Sequence, residues 1–484
     1  MSDKASNGGS GAVQQDAVDH EVVAGDSDAS AKPSAWRIVW DLAWPAIALN
    51  SLQVFNGLLD SFFLGRLGDS AVAAHGASMS LTFLLFSIAF AMGTGATALV
   101  ARFYGARKQD DMERACRQSL MLSLLLGVAV PLIVWLFLPA LAALFTRDNP
   151  KVEPLVREYM TPFLMGMPAV YVFNVVAASL RAIGDTKRPM YVSGSQILVH
   201  MVLNYLLIFP THQISPMGLT LTLPGAGMGI AGAATAFALS AWYAALVYFP
   251  VAGGTVLGPV WKLQMPHFGW MWRILRISIP ASIASLIRVI SFSAFTLALS
   301  WTKNVNEALA ALSVGIRCES LAFMPAFGFM LAASTLVGQN LGRKDPKEAE
   351  RLAWASAHLG AIIMGTGSLV FLLFADQLAG IFVTEPETRA SAALFLRLMA
   401  VTEPLFGYAM VLTGAMQGAG DSIRPTWVAA ISQVGVRIPA VWLWAVVAGG
   451  GSPAAWWVMS LTQAINGVLM ISLFRRGAWK TQRV

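Results

Sequence analysis

Apolar runs of about 20 residues or more recur along almost the whole chain, and each is long enough to cross a bilayer as an α-helix. The pattern predicts an all-α integral membrane fold with twelve transmembrane helices. Their approximate positions are 38–62, 71–100, 119–138, 158–180, 189–209, 228–250, 277–300, 309–337, 353–374, 398–416, 426–448 and 454–474. Because the apolar residues are spread so evenly, one embedded body is expected rather than soluble domains on an anchor.

The polar segments divide this pattern into five parts. The first 33 residues are rich in Ser, Gly, Asp and Ala and have too few large apolar side chains to fold, so a disordered cytoplasmic tail is predicted. That tail lacks the basic start and the cleavage site of a signal peptide. The predicted parts are the tail at 1–33, a six-helix lobe at 34–252, a cytoplasmic connector at 253–272, a second lobe at 273–476 and a cytoplasmic tail at 477–484.

The two predicted lobes repeat one another in sequence. VARFYG at 100–105 corresponds to VGQNLG at 337–342, and GDTKRP at 184–189 corresponds to GDSIRP at 420–425. The separation between partners is nearly constant, and six helices per unit give both lobes the same orientation. We therefore expect a pseudo-two-fold axis along the membrane normal with a cleft between the lobes, which suits alternating access.

The charged residues predict the orientation in the membrane and argue against nucleic-acid binding. Most of the 33 Lys and Arg fall in loops on the side of the two termini, so both termini are predicted to be cytoplasmic. Only 12% of residues are charged and 56% are hydrophobic, so the net charge of +7 indicates contact with anionic lipid rather than nucleic acid. The two cysteines, Cys116 and Cys318, show no metal-ligand spacing and are expected to pack in the interior.

At several landmarks the sequence resembles the multidrug and toxic compound extrusion (MATE) family, particularly its bacterial DinF-like branch. The segments that carry the resemblance are FNGLLDSFFLGRLG at 55–68, ALVARFYGARKQDD at 98–111, SLRAIGDTKRP at 179–189, RCESLAFMPA at 317–326, TLVGQNLGRKD at 335–345 and GAMQGAGDSIRP at 414–425. The resemblance implies a V-shaped pair of lobes that exports organic, often cationic, compounds in exchange for H⁺ or Na⁺. Independently, the sequence has no G-x-x-x-x-G-K-[ST] loop for ATP phosphates, so an ion gradient is the expected energy source.

Three polar residues of the first lobe are the candidates for ion coupling. Asp60 lies roughly 33 Å along the first helix, in the outer third of the bilayer, where a carboxylate is costly. The resemblance implies a role for it, because the family's first-helix aspartate occupies this place in the motif. Asn204 reaches a similar depth, where some family members carry a second aspartate, so a two-carboxylate site is not expected. His200 lies one turn before Asn204 and is a titratable neighbour, or else a packing residue.

The second lobe has a different set of charges. Arg288, Glu319 and Arg437 fall near mid-helix, and we expect a cluster in which Arg288 pairs with Glu319. Several family branches carry a glutamate eight residues after the proline of the seventh helix, where this sequence has Arg288. Glu403 is a candidate substrate contact. The sequence leaves open whether the second lobe holds an ion site.

Other polar and aromatic residues are secondary candidates. His75, Ser78, Gln196, Asn56 and Gln53 are interpreted as mainly structural, and Phe55, Phe292, Phe295 and Met330 as lining residues of an apolar cleft.

The resulting hypothesis is a secondary active exporter in the bacterial inner membrane. It is expected to need no cofactor or metal site, to act as a monomer, and to have small organic substrates and membrane lipids as its partners. Asp60 is its expected coupling carboxylate, with H⁺ favoured over Na⁺. The alternatives are a flippase for a lipid-linked precursor, which would need a cationic cavity, and a polytopic membrane enzyme, for which no cluster of catalytic residues appears.

Overall fold

The computed structural model describes residues 33–146, 149–214, 221–258, 262 and 264–482. Twelve of the described helices are long and apolar enough to span a membrane. The first half contains α1 Ala35–Gly65, α2 Asp69–Gly105, α3 Gln109–Phe145, α4 Glu153–Ala182, α5 Lys187–Ile208 and α6 Gly229–Gly253. The second half contains α7 Phe268–Ser300, α8 Val305–Gly342, α9 Pro346–Phe382, α10 Pro386–Gly418, α11 Ile423–Val447 and α12 Gly451–Arg475.

The count of twelve helices is confirmed, but most helices are longer than predicted. For example, α3 and α9 both have 37 residues. Hydropathy marks only the part of a helix that crosses the hydrocarbon core, whereas the hydrogen-bonded helix continues into the polar flanks. The largest difference is at the start of α10, which begins at Pro386 rather than at 398, and the topology is unchanged.

The two halves repeat the same packing. In the first half α4 packs on α2, α3 and α6, and α1 packs on α5; in the second half α10 packs on α8, α9 and α12, and α7 packs on α11. Between the halves, α1 contacts α8 and α2 contacts α7. Because α1 corresponds to α7 and α2 corresponds to α8, these two contacts are equivalent to each other. Two equivalent contacts are what a pseudo-two-fold axis between the lobes requires.

The repeated sequence landmarks form repeated turns. Gly184 and Gly420 both adopt a positive φ, of 96° and 88°, which an L side chain rarely adopts. In each turn the next residue is an aspartate that pairs with an arginine three positions later: Asp185 with Arg188 at 2.9 Å, and Asp421 with Arg424 at 2.5 Å. The GDxxRP motif is thus a helix-linking turn, which accounts for its presence in both halves.

The other landmark, a glycine at the end of α2 and of α8, is where the lobes touch. A Cβ on Gly105 would collide with the backbone of Gln339, and one on Gly342 would collide with the carbonyl of Arg102. Close by, Gln339 Nε2 donates to the Ala182 carbonyl at 2.8 Å. The lobes are therefore closed at the end that carries the basic loops, which the sequence predicts to be cytoplasmic.

Two small elements, a hairpin and a 3₁₀ helix, were not predicted from hydropathy, and the predicted connector makes a specific contact. Pro210–Ile214 and Leu221–Ala226 form an antiparallel hairpin between α5 and α6. The connector after α6 is short, since α7 begins at Phe268, and its Met265 carbonyl accepts from Gln118 of α3 at 2.9 Å. Within the predicted C-terminal tail, a 3₁₀ helix at Ala478–Thr481 buries Trp479 completely against Phe474. The predicted disordered tail at 1–33 lies, apart from Pro33, outside the described residues.

Candidate functional site

Asp60 and Asn204 meet between α1 and α5. Asn204 Nδ2 donates to Asp60 Oδ1 at 2.5 Å, and Asn56, one turn earlier on α1, donates from Nδ2 to Asp60 Oδ2 at 3.4 Å. Asn204 is buried, while the Asp60 side chain keeps 28% of its surface exposed. The carboxylate is therefore held by amide N–H groups on one side and reachable from outside the helix pair on the other.

His200 joins the same network indirectly. Its Nδ1 lies 3.2 Å from Asn56 Oδ1 and 4.0 Å from Asp60 Oδ1. Because Asn56 gives its N–H to Asp60 and offers its oxygen to His200, this arrangement requires a proton on Nδ1. The three residues predicted for ion coupling are thus brought together, with Asn56 as the link between His200 and Asp60.

Two further residues contribute to this site: Asn56, interpreted from the sequence as mainly structural, and Tyr159, for which the sequence gives no signal. Asn56 was interpreted as structural, although its position one turn before Asp60 is a usable signal. Tyr159 of α4 lies within electrostatic range of Asp60, and no local pattern connects these two distant helices. His75 packs edge-on against Tyr159, with ring centroids 5.3 Å apart. Gln196, about two turns before Asn204 on α5, donates to Ser240 Oγ at 3.0 Å.

The second lobe holds a pair of acids. Glu403 of α10 is completely buried, and neither of its carboxyl oxygens has a hydrogen-bond donor among the described residues. Its electrostatic neighbour is the carboxyl group of Glu319 on α8, close enough to hydrogen-bond. Two carboxylates at this range repel each other, so a single proton shared between them would satisfy both.

Arg437 and Gln463 complete this acid pair. The Arg437 guanidinium lies within electrostatic range of Glu319, and its Nε donates to Thr462 Oγ1 at 2.9 Å. Gln463 of α12 is also a neighbour of Glu319. Arg437 ends a π-helical segment of α11, Ala430–Arg437, and such segments recur at functional sites.

The expected ion pair between Arg288 and Glu319 is wrong. Arg288 Nη2 donates instead to Ser285 Oγ at 2.8 Å, one turn earlier on α7. Glu319 points into the second lobe toward Glu403, whereas Arg288 is exposed. Counting depth along each helix placed the two residues at one level but could not show which way each faces.

Of the expected cleft-lining residues, Phe55 and Phe292 are exposed, at 51% and 39%. Phe295 and Met330 are buried in the interior of the protein.

Twelve apolar spans in two repeated lobes, with acids held inside each lobe, define a multi-pass membrane transporter. The chain matches the MatE family model over residues 45–206 and 280–443, one match in each half. The protein belongs to the MatE family. It is a transporter and not an enzyme.

Curated relatives agree with this assignment. The chain is 27% identical over 455 residues to a probable multidrug resistance protein NorM of Thermotoga maritima, covering 92% of this chain and 93% of that protein. It is 26% identical to a probable multidrug resistance protein YoeA of Bacillus subtilis, covering 84% and 86%.

Solved structures share the fold. An outward-facing MATE family multidrug resistance transporter aligns with a TM-score of 0.81 at 21% identity, covering 93% of this chain and 98% of that one. A transporter of the same superfamily from Pyrococcus furiosus aligns with a TM-score of 0.82 at 21% identity and the same coverage.

Proposed function

We propose that this protein is an antiporter that exports lipophilic organic compounds, cations among them, in exchange for protons that enter through Asp60. The observation that carries the proposal is the Asp60 network, in which an acid inside an apolar helix is held by Asn204 and Asn56. Ionisable groups within a membrane span are costly and mark ion pathways. The multidrug resistance names of the relatives support the substrate class.

The network favours a proton over Na⁺ as the coupling ion. The two amides present N–H groups to the carboxylate, which a Na⁺ ion would have to displace with oxygen ligands. A proton instead removes the charge that makes those N–H bonds strong. Protonation would then weaken the hold of Asn204 on Asp60 and allow α1 and α5 to repack.

In this proposal the proton drives export by favouring one conformation over the other. A proton taken up from outside neutralises Asp60, the substrate leaves outward, and the proton is released on the inner side. Only the difference in proton affinity between the two conformations supplies the drive. The expected setting is the inner membrane with both termini cytoplasmic, and the working unit is a monomer that uses no cofactor.

The test is efflux of a fluorescent organic cation from proteoliposomes with a pH gradient or a Na⁺ gradient imposed separately. We expect the pH gradient alone to drive efflux. Asp60→Asn should abolish the gradient-driven part, because it imitates the protonated state permanently. Asp69→Asn is the matched control, since Asp69 is an exposed acid at the start of α2.

Three results would count against the proposal. The first is efflux that follows Na⁺ and ignores pH. The second is pumping by Asp60→Asn at the wild-type rate, and the third is equal loss in both variants. Folded yield and detergent-solution size must match the wild type before rates are compared.

The flippase remains a second candidate, favoured by one observation. Arg288 is an exposed cation in the second lobe, as recognition of a lipid phosphate would need. A flippase would move a labelled anionic lipid between leaflets in the same vesicles, and an exporter of small compounds would not.

A further inference from the structure

Arg288 lies on the protein-facing side of α7 and yet is exposed. The residues that share its helix face, Ala281, Ala284, Ser291 and Phe295, are all buried. A residue that is exposed in the middle of a buried face borders a space inside the molecule rather than the lipid. Ser291 and Phe295 contact the second lobe itself, through the Gln433 carbonyl and Trp456. We place the space on the other side of Arg288, where α7 borders the cleft between the lobes.

The neighbouring positions of α7 support this placement. Toward the closed end, Ile274 packs against Gly95 of α2 in the other lobe. Phe292 lies about five helical turns further along the same line and is exposed. The face of α7 that touches the first lobe at one end is therefore open at the height of Arg288 and Phe292.

Arg317 of α8 occupies the matching place on the next helix. Gly328 of α8 packs against Ile47 of α1, across the interface between the lobes. Arg317 lies about three turns from Gly328 on the same face and is exposed. Both arginines are about 18 Å from the ends of α7 and α8 that the short turn after Ser300 connects.

Neither arginine has an acidic partner among the described residues. Arg288 donates only to Ser285, and Arg317 forms no ion pair. The acids deep in the described helices face elsewhere, since Asp60 bonds Asn204 and Glu319 lies against Glu403. An unpaired cation at this depth is costly, so a functional role is the natural reason for it.

We propose that Arg288 and Arg317 form an anion-recognising surface of the cleft that selects substrates bearing a carboxylate, sulfonate or phosphate group. The inference rests on the proposed function, because it assumes that the exported compounds bind in the cleft. A guanidinium binds such groups through two parallel N–H bonds, and Phe292 offers an aromatic face to the apolar remainder of the molecule. Zwitterions and lipophilic anions are thus preferred over simple cations.

Two dyes that differ by one methyl ester test the charge preference directly. Rhodamine 110 has a free carboxylate, and rhodamine 123 is its methyl ester. With purified protein in detergent, fluorescence anisotropy should give a Kd for rhodamine 110 about tenfold lower than for rhodamine 123. Arg288→Gln and Arg317→Gln should each reduce that ratio severalfold and leave the Kd of rhodamine 123 nearly unchanged.

The controls separate charge from folding. Arg288→Lys keeps the charge and should retain part of the preference, and Arg343→Gln changes an exposed arginine at the closed end and should retain all of it. If one glutamine variant does not fold, the proposal is tested by the other variant and by the salt dependence of rhodamine 110 binding to the wild type, which the proposal expects to weaken as salt rises. Equal affinity of the wild type for both dyes, or an unchanged ratio in both glutamine variants, overturns the proposal.

Transport assays distinguish this inference from the proposed function and from a lipid ligand. A dye preference that persists in detergent, together with efflux that no pH gradient drives, would contradict the proposed antiport and still support the anion-recognising surface. In the same vesicles, movement of a labelled phosphatidylglycerol that depends on Arg288, without any dye preference, would assign the surface to a lipid headgroup. That outcome would overturn the assignment to a dissolved lipophilic anion.

Discussion

A substitution at Asn204 gives a second test of the first-lobe site, because Asn204 contacts Asp60 from the neighbouring helix α5. Asn204→Asp would place a second carboxylate against Asp60 Oδ1, where the amide now lies at 2.5 Å. Two interacting acids release their protons in two macroscopic steps. We therefore expect the dependence of efflux rate on pH to broaden from one step to two, or efflux to become sensitive to Na⁺.

The matched control is Gln196→Glu, which adds a carboxylate to the same helix at a position away from Asn204. The native Gln196 side chain donates to Ser240. Efflux measured across a pH series at fixed membrane potential gives the comparison. A single unchanged step in Asn204→Asp, or the same broadening in the control, would show that position 204 is not coupled to Asp60.

A second prediction about individual residues concerns the charged cluster of the second lobe. Glu319 and Arg437 interact electrostatically, so either Glu319→Gln or Arg437→Gln leaves the other charge unbalanced within the lobe. Thermal unfolding in detergent should show the double variant to be less destabilised than the sum of the singles, by about 0.5–3 kcal/mol.

The same cycle on Arg288 and Glu319 is the control, because these residues do not pair. Their effects on the unfolding temperature should add. Additivity for Glu319 with Arg437, or coupling between Arg288 and Glu319, would contradict the geometry of the cluster.

At the scale of helices, the crossing of α2 and α8 depends on two glycines. A Cβ on Gly105 would collide with the backbone of Gln339, so Gly105→Ala should push the lobes apart at their closed end. We expect a cysteine placed at Ser334, buried at this interface, to become reactive to a maleimide in that variant.

Gly57→Ala is the control for the crossing, because nothing lies within 4 Å of an added Cβ there. Labelling should be measured for both variants after each proves folded by size exclusion. An equally protected Ser334→Cys in both would mean that the crossing tolerates the methyl group.

For the whole molecule, the testable expectation is orientation. Most of the Lys and Arg that the structure describes lie at the end of the fold where the lobes are closed, and cytoplasmic loops carry such an excess. Cysteines introduced singly at Lys108, Arg188 and Lys344, with Cys116 and Cys318 replaced, should react with a membrane-impermeant maleimide only after the cells are opened. Reaction in intact cells would reverse the predicted topology.

The sequence alone determined the parts of this protein that depend on local pattern and on repetition. The count of twelve spans follows from the length of apolar runs, and the two-lobe arrangement follows from landmarks that recur at a constant separation. The closeness of Asp60 and Asn204 was also predictable, because both depths follow from the rise of a helix and the two helices belong to one lobe.

Only the tertiary structure decided which way each side chain faces. Depth along a helix fixes the level of Arg288 and Glu319 but not their direction, and packing turns Glu319 toward Glu403 and leaves Arg288 exposed. It likewise decided that Trp479 is buried beyond the last span and that Gly105 lies at the contact between lobes. These features arise from helices distant in sequence coming into contact, which no local pattern records.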